Sequence, residues 1–456
     1  ATLLLILLGV LLALCVNAIP TDTDIEVFEE WLKLNGGDSS AVSFKFHAEI
    51  WKGAYAKRDI AAGETICTIP SGVILSEKSA FQGQLGSALE PLQANLTTAD
   101  VLLLHLMHER NLKESTHSAY FNILPPRFQT TVFWSEEDLK YLEGSQLFDA
   151  TKQRKEAMGK TYDNLFSFLK EKNAGIFTSE AFSQEQFEWA LSLVWSRSVS
   201  VKSGESNAFI IIPGVDLFNH GKGMASVQVA DDGNSMLVIA ETDIPKDTEI
   251  GLDYGNKSNS ELLLSYGFVL GENPYDGVSL TLNVDKEDVF HAARVSAVEK
   301  ATGLTETPFE FLITAAGIPR NLLYAMRIIL LKSEHIGDLN VLAEKGYGSL
   351  NDELHMLRTL GAALQKVSSS YKTSYEEDVE LLKEHAKLVE EGQTPKLSVR
   401  QATGLSVVAK EKAILEQSVA VIRALWLDYL AKDYPPESSE ESNEESRESV
   451  DGAVSA

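Results

Sequence analysis

The chain has 456 residues, about three domain-lengths at the usual ~100–200 residues each, and is 44% hydrophobic and 23% charged, the balance of a globular protein with sizeable cores. Lys and Arg number 40 against 66 Asp and Glu, a net charge of −26, which argues against direct nucleic-acid binding because such affinity comes from basic side chains on phosphates. Cys15 and Cys67 are the only cysteines, so a zinc cluster and a disulfide framework are excluded.

The apolar run from Leu3 to Val16 is shorter than the ~20 residues that span a bilayer, so no stable membrane span is expected. It closes on Val16-Asn17-Ala18, small residues of the kind a signal peptidase cuts after. Residues 1–18 therefore read as a signal peptide and Ile19 as the mature start. The missing Met and the missing basic n-region suggest a sequence truncated at its start. This reading sends the chain into the endomembrane route: the ER lumen, secretion, or a first import step toward a complex plastid. The cytoplasm is the alternative if the N-terminus is wrong. Asn95-Leu96-Thr97 is a glycosylation acceptor on that route.

From Phe44 to Leu75 short β-type runs dominate, with Ala61-Ala62-Gly63-Glu64 as a turn. From Thr98 to Val201 the spacing is helical, as in Leu102, Leu103, Leu106 and Met107. Strand character returns from Phe209 to Val284, with Asp232-Gly233-Asn234 as a hairpin turn. From Val289 to Tyr434 the pattern predicts helices almost throughout, punctuated at Gly317-Ile318-Pro319, Gly346-Tyr347-Gly348 and Gly392-Gln393-Thr394-Pro395. The tail from Pro435 to Ala456 holds seven acids, one Arg and almost nothing that could pack, which predicts disorder.

His105 and His108 sit three apart on a helix without further ligands nearby, so they read as partly exposed helix histidines and no metal site is expected. Phosphate loops, dinucleotide fingerprints and serine-hydrolase elbows are absent. One segment stands apart. Ile212-Pro213-Gly214-Val215-Asp216-Leu217-Phe218-Asn219-His220 ends an apolar stretch with Asp, Asn and His, groups that a strand end avoids unless they are bonded or functional. About 30 residues later, Tyr254-Gly255 and Tyr266-Gly267-Phe268 flank a polar turn and a short amphipathic helix.

In this order, the two segments resemble the SET-domain protein methyltransferases, in the branch of the plant Rubisco large-subunit lysine methyltransferase and its actin-histidine relative. The resemblance runs from Phe44 to Asp433. Lys52-Gly53-Ala54-Tyr55 looks like the family's first glycine strand. Ser118-Ala119-Tyr120 and Leu124-Pro125 match a helical insertion, and Ser196-Arg197-Ser198 falls in family order. Tyr371 to Leu382 and Arg400 to Ile414 are similar to the branch's C-terminal helices. Two departures stand out. Ile50-Trp51-Lys52 occupies the place where an acid often precedes the glycine pair, with Glu49 one residue early, and no Tyr lies between His220 and Tyr254. One wall of the substrate channel is therefore expected to be built differently.

The resemblance implies an α+β fold: a SET core of short curled sheets over residues 19–284, a helical insertion at about 98–201, an all-helical substrate-binding domain at 285–434 and the acidic tail at 435–456. It implies a protein-lysine N-methyltransferase that uses S-adenosylmethionine, acts on a folded protein or its exposed tail, and works as a monomer. Tyr254 would be catalytic. Ile50, Trp51, Lys52, Gly53, Arg197, Asn219 and His220 would bind the cofactor, and Arg197, Asp216, Tyr254 and Tyr266 the substrate. Histidine methylation is the rival within the enzyme class, and a silent binding module the rival outside it. Retention of Tyr254 with Asn219-His220 argues against the module.

Overall fold

The computed structural model describes residues 21–47, 51–172, 176–177, 180–203, 206–339 and 348–431. The expected signal peptide, Ile50 and the acidic tail lie outside these residues. The chain divides into two compact units, the first holding residues up to 134, 151–257 and 261–268, the second 135–150, 258–260 and everything from 269 on. Among the described residues no helix is long and apolar enough to cross a membrane.

In the first unit, α1 (Asp22–Leu34) starts from a capping box between Thr21 and Asp24 and buries Ile25, Phe28 and Leu32, which helical spacing puts on one side. β1 (Val42–His47) and β2 (Trp51–Ala56) pair antiparallel. Strand alternation sends Val42, Phe44, Ala54 and Ala56 into the core, where Phe28, Phe44 and Phe218 meet ring to ring. Lys45 and Tyr55 take the other face, with the Lys45 ammonium 5.0 Å from the Tyr55 ring centre.

β3 (Thr65–Pro70) follows, then a helical stretch whose main members are α2 (Thr98–Asn111), α3 (Gln146–Lys172) and α4 (Gln184–Arg197). α2 is buried almost all round. His105 on it is only 3% exposed, not partly exposed as the sequence suggests, because its Nε2 finds Ser79 Oγ at 3.1 Å and can be enclosed. Burial pushes its pKa down to about 4.

β4 (Ser198–Ser203) and β5 (Ser206–Ile211) form a ribbon. β6 (His220–Val229) and β7 (Ser235–Ala240) turn through Gly233, whose φ is +69°, and with β3 make a sheet in the order β3-β7-β6. The two-residue β8 (Glu249–Ile250) adds to β2, giving the order β1-β2-β8.

Just beyond β8 the chain crosses the start of β6. A Cβ built on Gly251 would lie 2.5 Å from Gly221 Cα, and one on Gly221 would lie 2.9 Å from Gly251 Cα. Only two glycines allow the backbones this close. Leu252 N donates to Asn219 O at 2.9 Å, and Leu252 bridges His220 in parallel.

α5 (Asn259–Ser265) leads on to β9 (Gly277–Leu282), α6 (His291–Thr302), β10 (Phe309–Thr314), α7 (Arg320–Leu330), α8 (Leu350–Ser368), α9 (Tyr375–Glu390) and α10 (Val399–Ala431). Among its described residues the second unit is thus helical but for one ribbon, in which β9 falls in the expected strand region and β10 stands where the sequence reading expects helix. Phe309, Phe311 and Ile313 are buried in strict alternation, a period-two pattern too short to register against long helical neighbours. The ribbon and helices share a core that includes Val298, Phe309, Leu322, Ile328, Leu360 and Leu415. Arg327 holds Glu353 through two bonds of 2.7 and 2.8 Å.

Glu411 lies buried on α10. Its carboxylate accepts from Ser145 Oγ at 3.0 Å, Ser260 Oγ at 2.9 Å and the Tyr371 hydroxyl at 2.9 Å. Desolvation outweighs these three donors and pushes its pKa up to about 6.

Two predictions follow from this packing. Gly251→Ala should lower stability by about 2 kcal/mol or more through backbone overlap, whereas Gly72→Ala, with nothing within 4 Å of its Cβ, should change it by less than about 0.5 kcal/mol. Urea unfolding of both variants checks this contrast. For Glu411, the folded protein holds more protons than the unfolded chain between the ordinary carboxylate pKa and about 6, so stability falls as pH rises through that window. Unfolding free energy measured relative to Glu411→Gln should accordingly drop by about 1–2 kcal/mol between about pH 4 and about pH 7.

Candidate active site

The segment after β5 turns through Gly214, at φ +99°, into a single 3-10 turn, Val215–Leu217, and then delivers Phe218, Asn219 and His220 to the start of β6. Asp216 pins this turn. Its Oδ1 accepts from Gly214 N at 3.1 Å, and its Oδ2 accepts from the Tyr120 hydroxyl at 2.8 Å and from Arg197 Nη1 at 3.2 Å. Arg197 Nη1 also bonds to Asp216 O.

The Asp216 side chain is 1% exposed, and both carboxylate oxygens are bonded within the protein. The geometry makes it a post for the Asn-His turn, beside the substrate role expected from sequence. Arg197 is tied into the same pair, while its Nε is buried without a partner among the described residues. Burial drives the Tyr120 phenol well above its ordinary pKa, so it stays a donor to Asp216.

The crossing at Gly221 and Gly251 sets the second half of the site against the first. Tyr254 N donates to His220 Nδ1 at 3.1 Å. An Nδ1 that accepts leaves the ring proton on Nε2. The Tyr254 hydroxyl donates to Phe218 O at 2.6 Å. Burial raises the pKa of this phenol, with the Asp216 charge adding to the effect and Arg197 opposing it. Tyr254 is thus a phenol throughout the neutral range and no phenolate base.

Aromatic rings gather around it. Tyr266 stacks on Tyr254 with centres 5.1 Å apart, and His220 lies 5.3 Å from Tyr254. Phe268 closes the group at 6.2 Å from Tyr266 and 6.5 Å from His220. The Lys257 ammonium stands 6.0 Å from the Tyr266 ring. Tyr254, Tyr266, Asn219 and His220, singled out in the sequence, are all brought to this place.

Of the expected cofactor strand, Trp51 and Lys52 lie on β2 opposite His47 and Phe46, and Gly53 lies opposite Lys45. Gly53 packs under Asn219: a Cβ there would be 3.3 Å from Asn219 Nδ2. The sequence reading assigns no role to Tyr120 or Glu249. Glu249 accepts from Asn219 Nδ2 at 2.7 Å, and the only sequence signal for it is the polar–apolar alternation of Glu249, Ile250, Gly251 and Leu252.

The SET domain family matches residues 52–255, and the Rubisco LSMT substrate-binding family matches residues 285–415. The human actin-histidine N-methyltransferase is 25% identical over 436 residues, covering 91% of this chain and 71% of its own. The chloroplastic [fructose-bisphosphate aldolase]-lysine N-methyltransferase of Arabidopsis thaliana is 27% identical over 432 residues, covering 89% and 85%. Among solved structures, the SET domain of LSMT bound to lysine and AdoHcy superposes with a TM-score of 0.72 at 22% identity, covering 94% of this chain and 98% of that one. Fold, family matches and relatives agree on the architecture: the chain combines a SET domain with a C-terminal Rubisco LSMT substrate-binding domain.

Proposed function

We propose that the chain is an S-adenosylmethionine-dependent protein N-methyltransferase that acts on lysine, with the reaction beside Tyr254. The observation that carries this reading is the triple restraint on Tyr254: hydroxyl on Phe218 O, backbone on His220 Nδ1, ring on Tyr266. A tyrosine merely filling space needs none of these together.

The donor set suits the cofactor. Asn219 and His220 offer amide and imidazole groups to its polar ends, Gly53 leaves the room in which the Asn219 amide sits, and the Tyr254, Tyr266 and Phe268 rings favour a cation over their faces. When bound, S-adenosylmethionine supplies an electrophilic methyl group on a sulfonium. The residues must then present a neutral nitrogen in line with it. A free lysine, with a pKa of ~10.4, is mostly protonated. Aromatic walls and a nearby positive charge both disfavour ammonium and lower that value. The Tyr254 oxygen, its proton already directed to Phe218, keeps lone pairs for weak C–H···O contacts and for orienting the amine. Positioning of this kind can supply about 7–11 kcal/mol of a barrier.

A protein partner agrees with the C-terminal domain match, and the −26 charge favours a basic one at the encounter stage. Histidine is the second reading, supported by the similarity to the actin-histidine enzyme across 91% of this chain. Incubating the purified chain with methyl-labelled S-adenosylmethionine and cell extract, then mapping the label, decides between them. Label on lysine supports the proposal, label on histidine selects the second reading, and cofactor uptake without any transfer rejects both.

Tyr254→Phe gives a sharper check. The ring stack survives, so cofactor affinity should stay within about twofold, while turnover should fall at least about tenfold, some 1.4 kcal/mol of barrier. Full activity in this variant would remove the hydroxyl from the mechanism.

A further inference from the structure

Gly53 has no side chain, and two polar groups from a distant part of the chain occupy the space beside it. A Cβ at Gly53 would lie 2.6 Å from Glu249 Oε1 and 3.3 Å from Asn219 Nδ2. Glu249 pairs directly with Tyr55 across β2 and β8, which places it on the face shared by Tyr55 and Gly53. There its Oε1 accepts from Asn219 Nδ2 at 2.7 Å. Tyr55 marks the same carboxylate from its own side. Its phenol is pushed up to about 12, by burial first and then by the charge and hydrogen bonding of Glu249. A carboxylate beside the glycine of the first strand, missing from the residues just before Gly53, thus arrives from β8.

The chemistry of this contact is one-sided. An ionised carboxylate only accepts, whereas an Asn amide donates at one end and accepts at the other. Beside Glu249 the Asn219 amide has one sensible orientation, with its NH2 on the carboxylate and its carbonyl turned away. The flipped amide would set two acceptors against each other and leave the carboxylate without that donor.

We propose that Glu249 is a positioning residue for cofactor binding, fixing the Asn219 amide so that its carbonyl is presented to an N–H donor of S-adenosylmethionine. This inference rests on the functional reading above, which places Asn219 in the cofactor site. Gly53 belongs to the same device, since any side chain there would displace the carboxylate. Glutamine at 249 keeps the shape but can donate as well as accept, so it removes the preference for one amide orientation.

The test is calorimetric titration of the full chain with S-adenosylmethionine, in wild type, Glu249→Gln, Asn219→Ala and the double variant, with thermal melts alongside. Glu249→Gln should weaken binding about fivefold or more while moving the melting temperature by no more than a few degrees. If Glu249 acts through Asn219, the double variant should bind no more weakly than Asn219→Ala alone. Unchanged affinity in Glu249→Gln overturns the inference. So do losses that add in the double variant, and so does a loss matched by a collapse in melting temperature. A wild-type chain that does not bind S-adenosylmethionine overturns the functional reading and this inference with it, whereas binding with additive losses overturns the inference alone.

Discussion

Two backbones touching at Gly221 and Gly251 are the constraint on which the site depends. A side chain on either residue would overlap the main chain of the other. Because the contact is this close, the residues flanking it are fixed as well. Asn219 and His220 lie just before one glycine, and Glu249 and Tyr254 flank the other. Their contacts, Asn219 with Glu249 and His220 with Tyr254, are what two short peptides make when they cross at a fixed point. Slippage of β8 by one residue would send Glu249 to the core face and Ile250 to the open face.

Polar groups around the crossing divide by how they are bonded. Asp216, Arg197 and Tyr120 form a cluster whose bonds run mostly among themselves, and it holds the turn in place. Asn219, His220, Tyr254 and Tyr266 remain partly exposed and keep surface for other molecules. A single neutral hydrogen bond contributes about 0.5–1.5 kcal/mol and an aromatic pair a similar amount. The arrangement around Tyr254 is therefore rigid through the number of its restraints, not through the strength of any one.

Much of this was legible in the sequence. The Asn-His and Tyr-Gly strings pointed to residues that the fold does bring together, because polar groups at the end of an apolar strand require a reason. Their mutual contacts were not legible, since they come from a crossing between segments about 30 residues apart that no local period records. Asp216 illustrates the limit: its residue type suggested a contact at the site, and only the positions of Tyr120 and Arg197 reveal that it also pins the turn. Glu249 was missed for the opposite reason. It looks like any exposed strand acid until Gly53, nearly 200 residues earlier, opens the space that it enters. β10 was lost because six residues of alternation sit among long helices, and His105 seemed half-exposed because Ser79 belongs to another helix.

The brevity of β8 bears on how the protein comes to exist. β1 and β2 are made early, yet the strand that completes their sheet is about 200 residues further along the chain. During synthesis from the N-terminus, the glycine strand would wait in a two-stranded hairpin with only α1 packed on it, short of the third strand that completes the sheet. The helices between Thr98 and Arg197 emerge in that interval and can condense on local contacts. Glu249 and Tyr254 then arrive together, within one short stretch. The contacts around Gly53 and Tyr254 can accordingly close only once this stretch is made, and a half-made chain has the glycine strand without the carboxylate and phenol that meet it.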